Sequence, residues 1–144
     1  MKYFQINMAT IDENLYSRQI AVYGKNAMKS LTESKVLVIG YNGACLEILK
    51  NLILSGISKI NLVTNEVIKY TNLSTNYYAN EKDIGKRITD IIKDKLSELN
   101  PYVNFVCNEG YDLKFYQYDT LILLNNSLEE AIEINNKCRN TKTK

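Results

Sequence analysis

The chain has 144 residues, of which 45% are hydrophobic and 24% are charged, and its formal net charge is +2. These are ordinary globular values, so we expect one domain, 1–144, with a substantial core, and neither a nucleic-acid nor a membrane partner. The sequence contains no histidine, which excludes Ser-His-Asp catalysis, Cys-His catalysis and histidine metal ligands within this chain.

The three cysteines, Cys45, Cys107 and Cys138, are odd in number and far apart in the sequence. They form no CxxC motif and indicate no disulfide framework, which favours a reducing compartment. No apolar run reaches the ~18 residues of a membrane span, and the N-terminus has no signal-peptide core. We therefore expect a cytoplasmic setting and cysteines that are buried or half-buried structural thiols.

The first predicted element is a helix that Asp12 caps and that ends at Tyr23, before Gly24. One face of this helix is apolar except for Arg18, and it consists of Ile11, Leu15, Arg18 and Val22. We expect this face not to be freely solvated. A second short helix, 26–31, leads into the first strand.

The stretch 35–56 reads as strand, glycine turn and helix, the usual start of a nucleotide-binding βαβ unit. A dinucleotide turn would be G-x-G-x-x-G, but Asn42 and Cys45 stand at the second and third glycine positions after Gly40, and Gly43 is extra. Gly56 is placed to end the helix in a left-handed conformation. The alternative, a turn kept for folding only, stays open.

The remaining elements alternate strands with helices. The second strand, 59–64, ends at Thr64-Asn65, with Glu66 next; a polar loop, 70–83, and a helix, 86–99, precede Pro101. Further strands are predicted at 103–107 and 120–124, and Ser127 caps a last helix to Arg139. This order predicts a Rossmann-like α/β fold: a mostly parallel sheet with helices on both faces, preceded by two N-terminal helices.

Taken together, the sequence resembles the ubiquitin-activating enzymes and the bacterial adenylating enzymes of thiamine and molybdenum-cofactor synthesis, over about residues 12–139. The stretches that carry the resemblance include Tyr16-Ser17-Arg18-Gln19-Ile20, Val36-Leu37-Val38, Lys50-Asn51-Leu52-Ile53-Leu54, Asn72-Leu73-Ser74, Asp83-Ile84-Gly85-Lys86 and Leu96-Ser97-Glu98-Leu99-Asn100. The Tyr-Ser-Arg-Gln and Asp-Ile-Gly-Lys stretches are the most specific.

Such enzymes are similar in having two related adenylation halves, of which one has lost catalysis. The resemblance implies that this chain is the N-terminal, inactive half, because residues of the active pattern are replaced at Asn42, Cys45, Thr64, Thr75 and Asn125. The degenerate remnant of the cofactor site is Gly40, Gly43, Asn72 and Lys86. The resemblance therefore implies ATP and magnesium as cofactors of the whole enzyme, with no nucleotide and no metal bound by this fragment.

The resemblance also implies a role for Arg18, which would reach in trans into the ATP site of the active half. The implied partners are that active half and ubiquitin or a ubiquitin-like protein, and the implied location is the cytoplasm and nucleus. The whole enzyme would adenylate the ubiquitin C-terminus and pass it to a catalytic cysteine that matches none of Cys45, Cys107 and Cys138.

Three alternatives remain open at this point. The chain could be the regulatory subunit of an activating enzyme for another ubiquitin-like protein, or a pure scaffold in which Arg18 pairs with Asp12 or Glu13. A nucleotide-dependent oxidoreductase is the third, and the broken glycine turn and the missing acidic residue at Thr64 argue against it.

Overall fold

The computed structural model describes residues 11–109 and 117–140. Helices and strands alternate along these ranges in the order that the sequence predicts. In chain order they are α1 (Ser17–Tyr23), α2 (Lys25–Glu33), β1 (Lys35–Ile39), α3 (Cys45–Leu54), β2 (Lys59–Val63), α4 (Ile88–Ser97), β3 (Asn104–Asn108), β4 (Thr120–Leu123) and α5 (Leu128–Arg139). The predicted loop 70–83 contains two short 3₁₀ turns, Tyr70–Asn72 and Glu81–Asp83.

The four strands form one sheet in the order β3-β2-β1-β4, and every pairing is parallel. In register, Val36 of β1 lies opposite Ile60 of β2 and Thr120 of β4. Parallel neighbours need a crossover, and the helix α3 provides it between β1 and β2. The predicted Rossmann-like, mostly parallel sheet is confirmed.

The core lies against both faces of β1, whose apolar residues are almost completely buried. On one face, Val36 and Val38 pack with buried residues of α3 and α4, such as Leu49 and Ile92. The other face has a smaller cluster, Leu37, Ile39, Val63 and Tyr118. Strands buried on both faces are continuous apolar runs, which explains the sequence of β1.

Two predicted helix boundaries are confirmed in atomic detail. Gly56 follows α3 with φ of +85°, a left-handed conformation that glycine adopts without strain. Ser127 caps α5: its Oγ accepts from the backbone N–H of Glu130 at 3.2 Å, and Glu130 Oε2 accepts from the N–H of Ser127 at 3.0 Å.

The N-terminal helices differ from the prediction at their ends. Asp12 Oδ1 accepts from the backbone N–H groups of Asn14 and Leu15, both at 3.0 Å, so it caps a separate turn, and α1 begins only at Ser17. Helix α2 is longer than predicted and runs from Lys25 to Glu33. None of the helices in the two described ranges is long and apolar enough to cross a membrane.

Candidate functional site

An open cleft of about 360 Å³ lies at the carboxyl ends of β1, β2 and β4. In a doubly wound sheet this is the position where nucleotides bind, because the strand order reverses beside β1. The residues that line the cleft are Gly40, Tyr41, Val63, Thr64, Asn65, Glu66, Val67, Lys69, Glu109, Leu124, Asn125, Asn126 and Glu130.

The ionisable lining of the cleft is predominantly acidic. Glu66, Glu109 and Glu130 line it together with one cation, Lys69, and Lys69 Nζ lies 3.0 Å from Glu66 Oε2. Glu109 pairs with Arg87, which is not part of the lining. The backbone N–H of Ser127 donates to Glu130 and holds the pKa of its carboxyl below the usual value. This balance of charge disfavours a triphosphate.

Gly40 is held at the cleft by packing. Its φ is +87°, and a Cβ at this position would lie only 1.8 Å from the carbonyl oxygen of Leu124. The backbone N–H of Leu124 donates to the carbonyl of Ile39 at 2.8 Å, so the end of β4 passes directly over the turn. The fold therefore requires glycine here, independently of any ligand.

The turn that would hold a phosphate is occupied by the protein's own side chains. Asn42 Oδ1 accepts from the backbone N–H of Ala44 at 3.0 Å, which uses an amide at the N-terminus of α3 that an anion would need. Thr75 lies over the same turn, since its Cγ2 is 3.1 Å from the position of a Cβ on Gly43.

Asn72 and Lys86 are not part of the cleft lining. Asn72 Oδ1 accepts from the backbone N–H of Lys69 at 2.8 Å and so shapes the loop after β2. Lys86 Nζ lies 2.7 Å from Asp83 Oδ1, and this bond is the main reason that the pKa of Asp83 lies below its usual value. Both residues therefore have structural partners within the loop that contains them.

Thr64 and Asn125 do reach the cleft, at the ends of β2 and β4. Thr64 Oγ1 accepts from the backbone N–H of Glu66 at 3.2 Å, and Thr64 itself is 7% exposed. Asn125 has φ of +62°, a left-handed conformation in which asparagine is among the tolerated residues. The described ranges contain no group of three or more acidic or cysteine side chains placed to hold a metal ion.

Arg18 lies on α1, outside the cleft lining, and it is exposed. The expectation that its helix face is not freely solvated is wrong for this chain, because Leu15 and Val22 are 53% and 75% exposed. No residue of the described ranges forms a hydrogen bond or an ion pair with the side chain of Arg18. Asp12 and Glu13, the partners considered for it, bind Tyr102 and Lys25 instead.

The cysteines have the character expected from the sequence. Cys45 and Cys138 are buried and Cys107 is half-buried, and none of them forms a disulfide. Burial raises the pKa of Cys45 to about 12 and that of Cys107 to about 11, and it also raises the pKa of Cys138. Neutral, buried thiols are poor nucleophiles.

Sequence reasoning missed the acidic lining of the cleft and one buried pair. Glu130 had a usable signal, the Ser127-x-x-Glu130 capping box, which places a carboxylate after β4. Glu109 gave no signal. The pair of Tyr16 and Asn100, whose Nδ2 donates to the tyrosine hydroxyl oxygen at 2.8 Å, gave none either, because these residues are far apart in the sequence.

Sequence comparison identifies related proteins. The model of the ThiF family matches residues 16–143. Ubiquitin-activating enzyme E1 1 of Candida albicans is 39% identical over 127 residues, which are 88% of this chain and 12% of that protein. Human ubiquitin-like modifier-activating enzyme 1 is 37% identical over 134 residues, 92% of this chain and 13% of that protein. The chain thus spans about an eighth of these relatives' length.

Solved structures have the same fold. Escherichia coli tRNA N6-threonylcarbamoyladenosine dehydratase, TcdA, in complex with ATP, superposes with a TM-score of 0.78 and 16% identity, covering 96% of this chain and 60% of that one. Escherichia coli MccB superposes with a TM-score of 0.75 and 23% identity, covering 94% of this chain and 42% of that one.

Proposed function

The chain belongs to the ThiF family, and from this premise we propose that it is the catalytically degenerate adenylation half of a ubiquitin-activating enzyme. The whole enzyme uses ATP and magnesium to adenylate the ubiquitin C-terminus and then transfers it to a cysteine as a thioester. The identity of 37–39% to activating enzymes supports the activity of the whole. The observation that carries the degenerate assignment is the turn before α3, where Asn42 Oδ1 accepts from the backbone N–H of Ala44.

The chemistry of the cleft supports the assignment, because its residues do not fit ATP with magnesium. A triphosphate would meet three carboxylates, of which Glu66 and Glu109 are paired, and the lining cation Lys69 is already bonded to Glu66. At Asn125 a neutral amide stands where Mg²⁺ favours a carboxylate. Thr75 replaces an arginine of the active pattern, so a planar fork of phosphate donors is missing. The nucleotide therefore binds to the partner half.

Arg18 is the residue through which this half acts on the chemistry. Its guanidinium is exposed and unpaired among the described residues, so no local bond has to break before it binds phosphate oxygens in trans. Val22 lies on the same face of α1, Leu15 lies in the turn that precedes the helix, and both are exposed. Packing of this apolar face on the active half would place Arg18 at the ATP site.

The experiment is ubiquitin-dependent ATP–pyrophosphate exchange in the full-length enzyme. We expect Arg18→Ala to slow the exchange by roughly 10- to 100-fold, the loss of one charge-assisted contact of about 1.5–3 kcal/mol. Arg18→Lys should recover part of the rate, because it keeps the charge without the fork. Arg139→Ala, at an exposed arginine on α5, is the matched control and should exchange at the wild-type rate.

An unchanged exchange rate in Arg18→Ala would contradict the role of Arg18 in trans. This half of the enzyme would then be a scaffold without a catalytic side chain. The same assay, run with ubiquitin and with other ubiquitin-like proteins, separates the ubiquitin-activating enzyme from the regulatory subunit of a related activating enzyme.

A further inference from the structure

We propose that Tyr16 is a positioning residue for Arg18. Its contacts with Gly56 and Asn100 hold α1 on the core, so that the Arg18 guanidinium reaches the ATP site of the active half. The proposal rests on the proposed function of Arg18. The principal contacts that carry it are those of Tyr16, which precedes α1.

Helix α1 does not hold itself in place. It has seven residues, none of them buried, and it lacks a side-chain cap at its N-terminus. Isolated helices shorter than about 12 residues are marginal in water, so the orientation of α1 depends on contacts with other elements. At its far end it is followed by α2, which Met28 anchors in the core with 0% exposure.

The strongest anchor of α1 is Tyr16, the residue that precedes its first turn. Tyr16 is 4% exposed, and its ring lies on Gly56: a Cβ there would be 2.7 Å from the tyrosine oxygen and 2.8 Å from Cζ. Asn100 Nδ2 donates to the tyrosine oxygen at 2.8 Å and to the carbonyl of Ile53 at 3.0 Å. The tyrosine is thus held by a ring contact and a hydrogen bond.

Weaker contacts reinforce the same attachment. Gln19 Nε2 donates to the carbonyl of Leu54 at 3.2 Å, and the hydroxyl of Tyr102 donates to Asp12 Oδ2 at 2.9 Å. The partners lie at the C-terminal end of α3 and in the connection that follows α4. Because α3 and α4 are core helices, this attachment fixes the position of α1 relative to the core.

The arrangement couples Tyr16 to Arg18 through the geometry of the helix. Successive residues turn by about 100°, so Tyr16 and Arg18 point to nearly opposite sides of the axis. One side is thereby fixed to the core while the other presents the guanidinium to a partner. A tilt of α1 on its anchor would displace the guanidinium, and a displacement of about 1 Å from productive geometry can cost up to about 100-fold in rate.

A double-mutant cycle in the full-length enzyme tests this coupling. Exchange is measured for the wild type, Tyr16→Phe, Arg18→Ala and the double variant, as kcat and as KM for ATP. Tyr16→Phe keeps the ring on Gly56 and removes the hydroxyl oxygen. We expect it to lower kcat by about 3- to 10-fold when Arg18 is present and to have no further effect in the Arg18→Ala background. Tyr70→Phe, at an exposed tyrosine, is the control and should not change the rate.

A tyrosine with only a structural role would slow both backgrounds by the same factor, and that additive result, or a wild-type rate in Tyr16→Phe, overturns the proposal. If Arg18→Ala itself exchanges normally, the proposed function of Arg18 fails instead. Should Tyr16→Phe prevent folding, as judged by its melting temperature, Gln19→Ala enters the same cycle. Additivity between Gln19→Ala and Arg18→Ala would equally overturn the proposal.

Discussion

The carbonyl oxygen of Leu124 occupies the space that a side chain on Gly40 would need, at 1.8 Å from the position of its Cβ. Gly40 follows β1 and Leu124 follows β4, so this contact lies where two neighbouring strands leave the sheet. The most recognisable residue of a nucleotide-binding turn is thus required by packing in a cleft whose other residues are poorly suited to a nucleotide.

Gly40→Ala should destabilise the fold severely. The new methyl group would meet the Leu124 carbonyl, and the residue would have to keep φ of +87°. Backbone strain and overpacking together should lower the free energy of unfolding by about 3–5 kcal/mol, which urea denaturation measures. Gly85→Ala is a matched control: φ is +84°, but nothing lies within 4 Å of its Cβ position, so it should lose only the strain part. Equal losses in the two variants would contradict the role of the Leu124 contact.

The chain itself should not bind ATP–Mg²⁺ at micromolar concentrations. The physical reason is the acidic lining of the cleft and the use of the Ala44 amide by Asn42. Isothermal titration calorimetry measures this directly. A micromolar dissociation constant would mean that the replacements at Thr64, Thr75 and Asn125 cost less than we infer.

Lys86→Ala should leave the exchange rate of the full-length enzyme unchanged. Lys86 bonds to Asp83 and does not line the cleft, so it has no phosphate to hold. The Lys86 side chain is 55% exposed but that of Asp83 is only 12% exposed, so the variant leaves a largely buried carboxylate without its cation, and the melting temperature of this chain should fall by roughly 4–10 °C. A rate that falls with intact stability would show that Lys86 serves the reaction.

Arg18→Ala should leave the free energy of unfolding of this chain within about 0.5 kcal/mol of the original value. The side chain is exposed and has no partner in the described residues, so its removal breaks nothing within the fold. Chemical denaturation of the two proteins measures the difference. A larger loss would identify Arg18 as a structural residue and would remove the main support for its action in trans.

Stability should fall at alkaline pH. Burial raises the pKa of Cys45 from 9.0 to about 12, so the folded state retains a proton that the unfolded state releases above pH 9. The stabilisation of the folded state by the protonated Cys45 is complete below pH 9. It is lost as the pH rises towards 12, by up to about 1.4 kcal/mol per pH unit. Denaturation at pH 7.5, 9.5 and 10.5 measures the slope. Cys45→Ala should make the slope shallower without removing it, because burial raises the pKa of Cys107 as well, and an equally steep slope in this variant would contradict the assignment.

The sequence was sufficient to predict the elements whose signals are local. The apolar run of β1, the helical spacing in α4 and the Ser127 cap depend on neighbouring residues, and the structure confirms all three. The glycine at position 56 was likewise recognisable as a helix end.

What the sequence did not reveal depends on contacts between distant segments. The start of α1 is set by Tyr16, whose partner Asn100 is 84 residues away. The solvent exposure of Arg18 could not be predicted from an apolar helix face, because that pattern does not say which surface covers the face. The acidic character of the cleft arises from Glu66, Glu109 and Glu130, which only the sheet brings together.

The position of β1 in the sheet also dictates an order of events during synthesis. β2 reaches β1 after one short helical crossover, whereas Asp119, which accepts a hydrogen bond from the N–H of Lys35, is 84 residues downstream. At about 5–20 residues per second, a ribosome needs roughly 4–17 s to supply that segment. Throughout this interval one edge of β1, whose apolar residues are buried in the folded chain, has no partner strand to bond with. A nascent chain that pauses before Thr120 therefore presents an apolar, unpaired strand edge to other chains. The emergence of β4 covers this edge and so ends the exposure.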